Sequence, residues 1–188
     1  NHEVDDGQEQ LAAKWSDSPL RPQSWNLEYV CANVRNASGS VPAFASPFTT
    51  RIIPLPGGDK ITIGFAGLLA SSTPLQASAS RLAGLSFDRN YVAVLDSVKH
   101  LPGYEQVASA DVRLLLTHVG TTMSHGRPVW DDMDATNLSS LSDTTWHGIL
   151  SSHTHQTVCG SINANDYPVV QGKWHGEYVS ILKITFDT

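Results

Sequence analysis

Positive charge is scarce in this chain: 12 lysines and arginines face 18 aspartates and glutamates, a formal net charge of -6 over 188 residues. A nucleic-acid backbone demands a basic surface, so nucleic acid is excluded as the main partner. A phosphate substrate is not excluded, because bound metal cations can supply positive charge locally. Long apolar runs are also lacking. No stretch approaches the roughly 20 apolar residues of a membrane-spanning helix, and no membrane span is expected. The opening Asn1-His2-Glu3-Val4-Asp5-Asp6 is not a basic and apolar leader, so no signal peptide is expected within it. It reads instead like the middle of a motif, as though something upstream were cleaved or missing. Cysteine is nearly absent: Cys31 and Cys159 stand too far apart in sequence to suggest a disulfide framework. Two free, buried thiols are expected. There are no repeats and no low-complexity tract. With 40% hydrophobic and 16% charged residues, what remains is a globular chain, one domain or a large part of a bigger one.

Patterning suggests interleaved helices and strands at the start and mostly strands at the end. Gly7 to Trp15 has helical composition, with Asp5 and Asp6 placed to suit its N-terminus. Leu27 to Val34 alternates like a strand. Arg51 to Leu55 and Lys60 to Leu68 flank Pro56-Gly57-Gly58-Asp59, a hairpin signal. Tyr91 to His100 reads as a helix with Val92, Leu95 and Val98 on one stripe. Asp111 to Thr117 is a nearly continuous apolar run, as a strand buried on both faces would be. Asp131 to Asp143 is polar with room for a short helix. Gly148 to Ser151, Pro168 to Gln171 and Tyr178 to Asp187 supply the remaining strands. A layered α/β sandwich fits this order best.

Eight histidines carry the chemical information. Taken singly, each reads as a satisfied surface or core residue. Three stand apart: His118 directly follows a buried-strand pattern, and His153 and His155 follow Ile149-Leu150. In open α/β sheets ligands collect beyond the carboxyl ends of the strands, so three imidazoles would reach one crevice. A His-x-His pair can aim both rings at adjacent points, as two nearby metals require. His100 ends the predicted helix, where a cation suits the dipole, and His125 reads as a loop residue. His147 and His175 are lesser candidates. Arg81, Arg89 and Arg127 read as solvated surface before phosphate anchors.

The segment Asn1-His2-Glu3-Val4-Asp5-Asp6-Gly7 resembles the Asn-His-Glu signature of calcineurin-like metallophosphoesterases, and within them the 5'-nucleotidase branch. Further matches follow in order: Ala32-Asn33-Val34, Ile61 to Leu68, Leu116-Thr117-His118-Val119-Gly120, Ser152-His153-Thr154-His155, and Pro168 to Gly172 with Leu182 to Asp187. The resemblance implies an α/β/β/α metallophosphoesterase sandwich of which residues 1–188 are the C-terminal half, without the first strands and helices and without a nucleotide-selecting C-terminal domain. It implies a pair of divalent ions (zinc, manganese, iron or magnesium), with Asn1, His118 and His153 on one ion and His155 on the other. His2 would sit over the scissile phosphate, oriented and kept protonated by Asp5. A metal-activated water or hydroxide would attack a nucleotide or related phosphate ester in line with the leaving oxygen.

Departures from that pattern accompany the matches. Ser152 stands where the branch usually has glycine, and Val4 where it has phenylalanine. The Asp-x-His and Gly-Asp motifs that complete the first metal site would precede Asn1, so an N-terminal fragment of the same domain is the expected partner. Asp131-Asp132-Met133-Asp134 is the one acidic stretch that could substitute, and it reads as a solvated loop. Two other readings follow from these departures: a catalytically degenerate relative that binds ligand or protein, and a mononuclear metal protein using Asn1, His118 and His153. Asn36-Ala37-Ser38 and Asn137-Leu138-Ser139 fit the N-glycosylation pattern, which leans towards a secreted or periplasmic setting and leaves the compartment open.

Overall fold

The computed structural model describes residues 28–76, 78–131, 136–141, 145–174 and 177–185. The expected helix from Gly7 to Trp15 and the leading Asn1, His2 and Asp5 lie outside these residues, as do His175 and 132–135.

The hairpin signal at Pro56-Gly57-Gly58-Asp59 is realised. Strands β2 (Phe48–Pro54) and β3 (Lys60–Leu69) pair antiparallel from Phe48 opposite Ala66 to Pro54 opposite Lys60, and Leu55 N–H closes the turn on Asp59 O at 2.8 Å. They open a six-stranded sheet. Strands β5 (Val112–His118), β8 (Gly148–Ser151), β9 (Val158–Ile162) and β10 (Tyr167–Gln171) complete it in the order β2-β3-β5-β8-β10-β9. The four central strands β3, β5, β8 and β10 run parallel, and the antiparallel β2 and β9 form the edges. Parallel pairing is what the apolar runs at Leu114 to Leu116 and Ile149-Leu150 anticipate, because such strands are covered on both faces. Two small antiparallel pairs stand apart: β1 (Val34–Arg35) with β4 (Ser86–Phe87), and β6 (Thr121–Ser124) with β7 (Arg127–Trp130).

The main core lies between one face of this sheet and the helix Tyr91–Val98. Asn90 caps that helix, its side-chain oxygen accepting Ala93 N–H at 3.2 Å. The cap sets the phase, so Tyr91, Val94, Leu95 and Val98 are buried, and Val92 is only partly buried. The stripe anticipated at Val92, Leu95 and Val98 is found, with Val92 partly buried against the core and Tyr91 and Val94 added to the covered face. Facing the helix are Ala66, Leu68, Leu115, Ile149 and Val169, all buried. Each large aliphatic side chain here contributes about 1.5–3 kcal/mol by leaving water. The opposite face carries Ile61, Ile63, Leu114 and Leu150, with Leu182 and Ile184 lying near them.

Three expectations fail for physical reasons. Leu27 to Val34 is not a continuous strand: within its described part there is a bridge at Val30 and the short β1. Its backbone passes over β3 at Gly67, where Ala32 N–H reaches Gly67 O at 2.7 Å. A Cβ at Gly67 would stand 1.8 Å from Val30 O, so only glycine permits the crossing. Described residues 178–185 form no strand either. Leu182 and Ile184 are partly covered and Ile181 is exposed, the two covered side chains lying against the sheet face. Of the two free thiols Cys31 is buried, but Cys159 is exposed on the edge strand β9, where Val158 and Ile162 are the buried residues.

The described residues are thus an α/β arrangement, one mixed sheet with short helices. A second large sheet is not among them.

Candidate functional site at the carboxyl ends of the parallel strands

Register decides which side chains meet. Leu69 of β3 stands opposite His118 of β5, and Thr117 of β5 stands opposite Ser151 of β8. The chain leaving β5 and the chain leaving β8 therefore emerge side by side. Ser152 N–H donates to Thr117 O at 3.0 Å, and the Ser152 hydroxyl lies 2.7 Å from His118 Nδ1. The rings of His118 and His153 meet edge to face, with centroids 5.0 Å apart and planes 63° apart. Two imidazoles from neighbouring parallel strands thus converge at the edge where open α/β sheets hold ligands.

His155 behaves differently. Its ring lies against Trp174, at 5.5 Å between centroids and a 47° tilt, and not in the His118–His153 pair. Among the described residues no three His, Cys, Asp or Glu side chains gather as a metal-holding group.

The turn after β8 is strained. His153 has φ 99° and His155 φ 58°, both in the left-handed region that disfavours side chains. Such positions cost about 1–3 kcal/mol each and persist only where the surroundings over-determine them. Here the surroundings are a buried polar network centred on Gln171, the last residue of β10, which is 2% exposed. The Gln171 amide nitrogen donates to Gln156 O at 3.0 Å, to the Thr154 hydroxyl and to Thr121 O. Its oxygen accepts from the Ser151 and Thr121 hydroxyls, both at 3.2 Å. One side chain thereby ties β10 to the segment 151–156 that carries both histidines. Gly120, at φ 98°, completes the packing: a Cβ there would meet the His153 ring at 3.2 Å. Patterning marked neither Gln171 nor Gly120 for this role. The one available signal is a polar residue closing an otherwise apolar strand.

Asn33 supplies a second brace at the same edge. Its amide donates to Leu69 O at 2.8 Å and Asp88 O at 3.1 Å, and its oxygen accepts Leu69 N–H at 2.8 Å. Cys31 lies beside it, and burial pushes its thiol up to about 11. That thiol stays protonated and is no nucleophile. Above His118 and Ser152 opens a cavity of about 350 Å³ lined by Tyr29, Phe44, Leu69 and Leu116.

The lesser candidates fall elsewhere. His147 precedes β8 and braces the opposite edge, Nδ1 accepting Arg113 N–H at 3.2 Å and Nε2 lying 3.0 Å from the Arg113 guanidinium. Burial, then the Arg113 charge, lowers its pKa, which suits a neutral structural ring. His125 sits at φ 50° in the β6–β7 turn; Arg81, Arg89 and Arg127 are exposed. Asp131 is exposed as well.

No protein-family model matches the sequence, and no curated protein matches it. Solved structures do. A calcineurin-like phosphoesterase from Bacillus subtilis superposes with a TM-score of 0.65 at 18% identity, over 92% of this chain and 52% of its own. The fold is that of the calcineurin-like phosphoesterases. A protein from Staphylococcus aureus described as a 5'-nucleotidase, solved with alpha-ketoglutarate, gives a TM-score of 0.59 at 17% identity, over 92% of this chain and 31% of its own. The chain therefore spans about a third to a half of these two structures. Within the calcineurin-like phosphoesterase fold, the paired His118 and His153 stand where two central parallel strands end.

Proposed function

We propose that this chain carries part of a metal-dependent phosphoester hydrolase site, similar to that of 5'-nucleotidases, acting on a nucleotide or a related phosphate ester. The observation that carries the reading is the edge-to-face contact of His118 and His153, held at a strained turn by a buried network. Backbone strain of this kind clusters at active sites and ligand clamps, which supports the reading. Two adjacent imidazoles are borderline nitrogen donors that suit zinc, manganese or iron, so the pair fits part of a metal shell. Asn1 would join the shell of that ion, and His155 would serve a second. The remaining carboxylates would come from an N-terminal fragment of the same domain.

When bound, the ions would supply an activated water and neutralise charge developing on the phosphoryl oxygens. The side chains do the rest. His2 would donate to the phosphate oxygens or to the leaving group, and Asp5 would orient that ring and keep it protonated. The net charge of -6 makes local cations more important for admitting an anionic ester.

The test is His153→Ala in the intact protein, with metal content read by mass spectrometry and turnover of a p-nitrophenyl phosphodiester and of AMP. Metal and turnover should fall together. His2→Asn should lower turnover and leave metal content largely intact, since its role lies in the transition state. A His153→Ala protein that keeps both metal and turnover ends the hydrolase reading.

A second reading, a degenerate relative that binds ligand without hydrolysing it, draws support from His155 resting on Trp174. Metal binding without turnover of either ester would favour it.

A further inference from the structure

We propose that Asn36 is an acceptor for an N-linked oligosaccharide, and that the folded chain keeps the second Asn-x-Ser site, at Asn137, closed. The proposal is independent of the hydrolase reading.

Asn36-Ala37-Ser38 and Asn137-Leu138-Ser139 share one acceptor pattern, and the sequence does not rank them. The structure does. Asn36 follows β1, in a turn whose residues 37–40 are all exposed. Its backbone closes that turn: Asn36 N–H donates to Ser40 O at 2.8 Å, and Gly39 N–H donates to Asn36 O at 2.9 Å. The side-chain oxygen is held inside the turn. It accepts Ser38 N–H and Ser40 N–H, each at 3.0 Å, and the Ser38 hydroxyl at 2.6 Å. Backbone N–H groups can only donate, so the end of the amide that meets them is the oxygen. The other end is Nδ2, the atom that an N-glycosidic bond uses. None of the hydrogen bonds that hold the turn involves Nδ2, so a substituent there breaks none of them. A Cβ at Gly39 would meet nothing within 4 Å, so the turn projects into open space.

Asn137 is placed otherwise. It belongs to the helix Thr136–Ser139, and the middle residue of its site, Leu138, is fully buried in the main core. The Leu138 carbonyl accepts Asn163 Nδ2 at 2.7 Å and Leu141 N–H at 3.0 Å. Presenting this site to an enzyme cleft means drawing Leu138 out of the core, which requires local unfolding.

The step is a substitution at carbon. Nδ2 bonds to the anomeric carbon of a polyprenyl-pyrophosphate-linked oligosaccharide and loses one proton to a base of the transferring enzyme. The bond from that carbon to the pyrophosphate oxygen breaks, and its electron pair leaves with the pyrophosphate. The product is bulky and solvated, which suits an exposed turn.

The test starts from the folded protein, incubated with a purified oligosaccharyltransferase and that lipid-linked oligosaccharide. Digestion and peptide N-glycosidase in heavy-oxygen water then convert each glycosylated asparagine into an isotope-labelled aspartate. Peptide mass spectrometry should find more label at Asn36 than at Asn137 by about tenfold or more, because a buried segment reacts only through local opening. Asn36→Gln and Ser38→Ala should each abolish the label at that turn, since both break the acceptor pattern. No label at Asn36, or equal label at both sites, overturns the proposal, and so does a Ser38→Ala protein labelled like the parent. Protein isolated from its own source and treated without the transferase should also carry the label at Asn36; its absence there overturns the assignment.

Discussion

Replacing Gln171 by leucine should loosen the histidine turn, and the size of the effect follows from the hydrogen bonds the amide makes. Leucine is of comparable volume, so little cavity is created and the loss is polar. The Ser151 and Thr121 hydroxyls can still bond to each other at 3.1 Å, and the Thr154 hydroxyl keeps Thr121 O. Gln156 O loses the Gln171 amide, and Thr121 N–H loses an acceptor already long at 3.4 Å. A buried polar group stripped of its partner costs about 1–3 kcal/mol. Gln156 is an exposed residue whose carbonyl water can reach, so one partial and one weak loss give about 1–2 kcal/mol. At about 2–4 °C per kcal/mol for a chain of this size, Tm should drop by about 2–8 °C. Gln171→Glu should be worse near neutral pH, because it buries a charge facing Gln156 O and Thr121 O. Burial raises the folded pKa of such a carboxyl above its unfolded value of about 4.3. The linkage sign follows: its neutral form is tolerated below about pH 4, and stability is lost as pH rises through the folded pKa. Urea unfolding of the parent and both variants at several pH values reads these differences. A Gln171→Leu protein within about 0.5 kcal/mol of the parent, with Mn²⁺ affinity unchanged, would refute the idea that this network holds the turn.

Backbone strain at His153 predicts that His153→Gly is more stable than His153→Ala by about 1–2 kcal/mol, because glycine accepts φ 99° without penalty; equal unfolding midpoints would remove the strain argument. Gly67→Ala should cost about 3 kcal/mol or more, since its Cβ would stand 1.8 Å from Val30 O, a backbone atom. Gly148→Ala meets only the flexible end of Leu182, at 2.5 Å, and should cost about 1 kcal/mol or less; denaturant titration separates the pair. Thiol labelling at pH 8 should modify the exposed Cys159 readily and reach Cys31 only on unfolding, because Cys31 is buried with its pKa pushed up to about 11. Rapid labelling of both thiols in the folded protein would contradict the burial of Cys31.

What the sequence determined by itself is mostly local. The β2–β3 turn was legible because Pro56-Gly57-Gly58-Asp59 supplies the positive φ that Gly57 and Gly58 adopt. Strands β5 and β8 were legible because covering both faces demands an uninterrupted apolar run. The helix after Asn90 was legible in place and in part of its covered face, to which the structure adds Tyr91 and Val94. His118 and His153 could be picked out because each follows such a run.

Tertiary structure alone decided the rest, through contacts between residues far apart in the chain. The register of Thr117 with Ser151 brings Ser152 to His118 across 34 residues, and no spacing rule encodes it. Gln171 reaches Thr121 across 50 residues for the same reason. Tyr178 to Asp187 was read as a strand, yet a strand exists only where a neighbour accepts its ladder, and among the described residues none does so for 178–185. His155 was grouped with its neighbour by sequence, but a positive φ at His153 and at His155 turns the chain between them, and Trp174 receives its ring. Periodicity fixes which face a residue prefers, and packing chooses its partner.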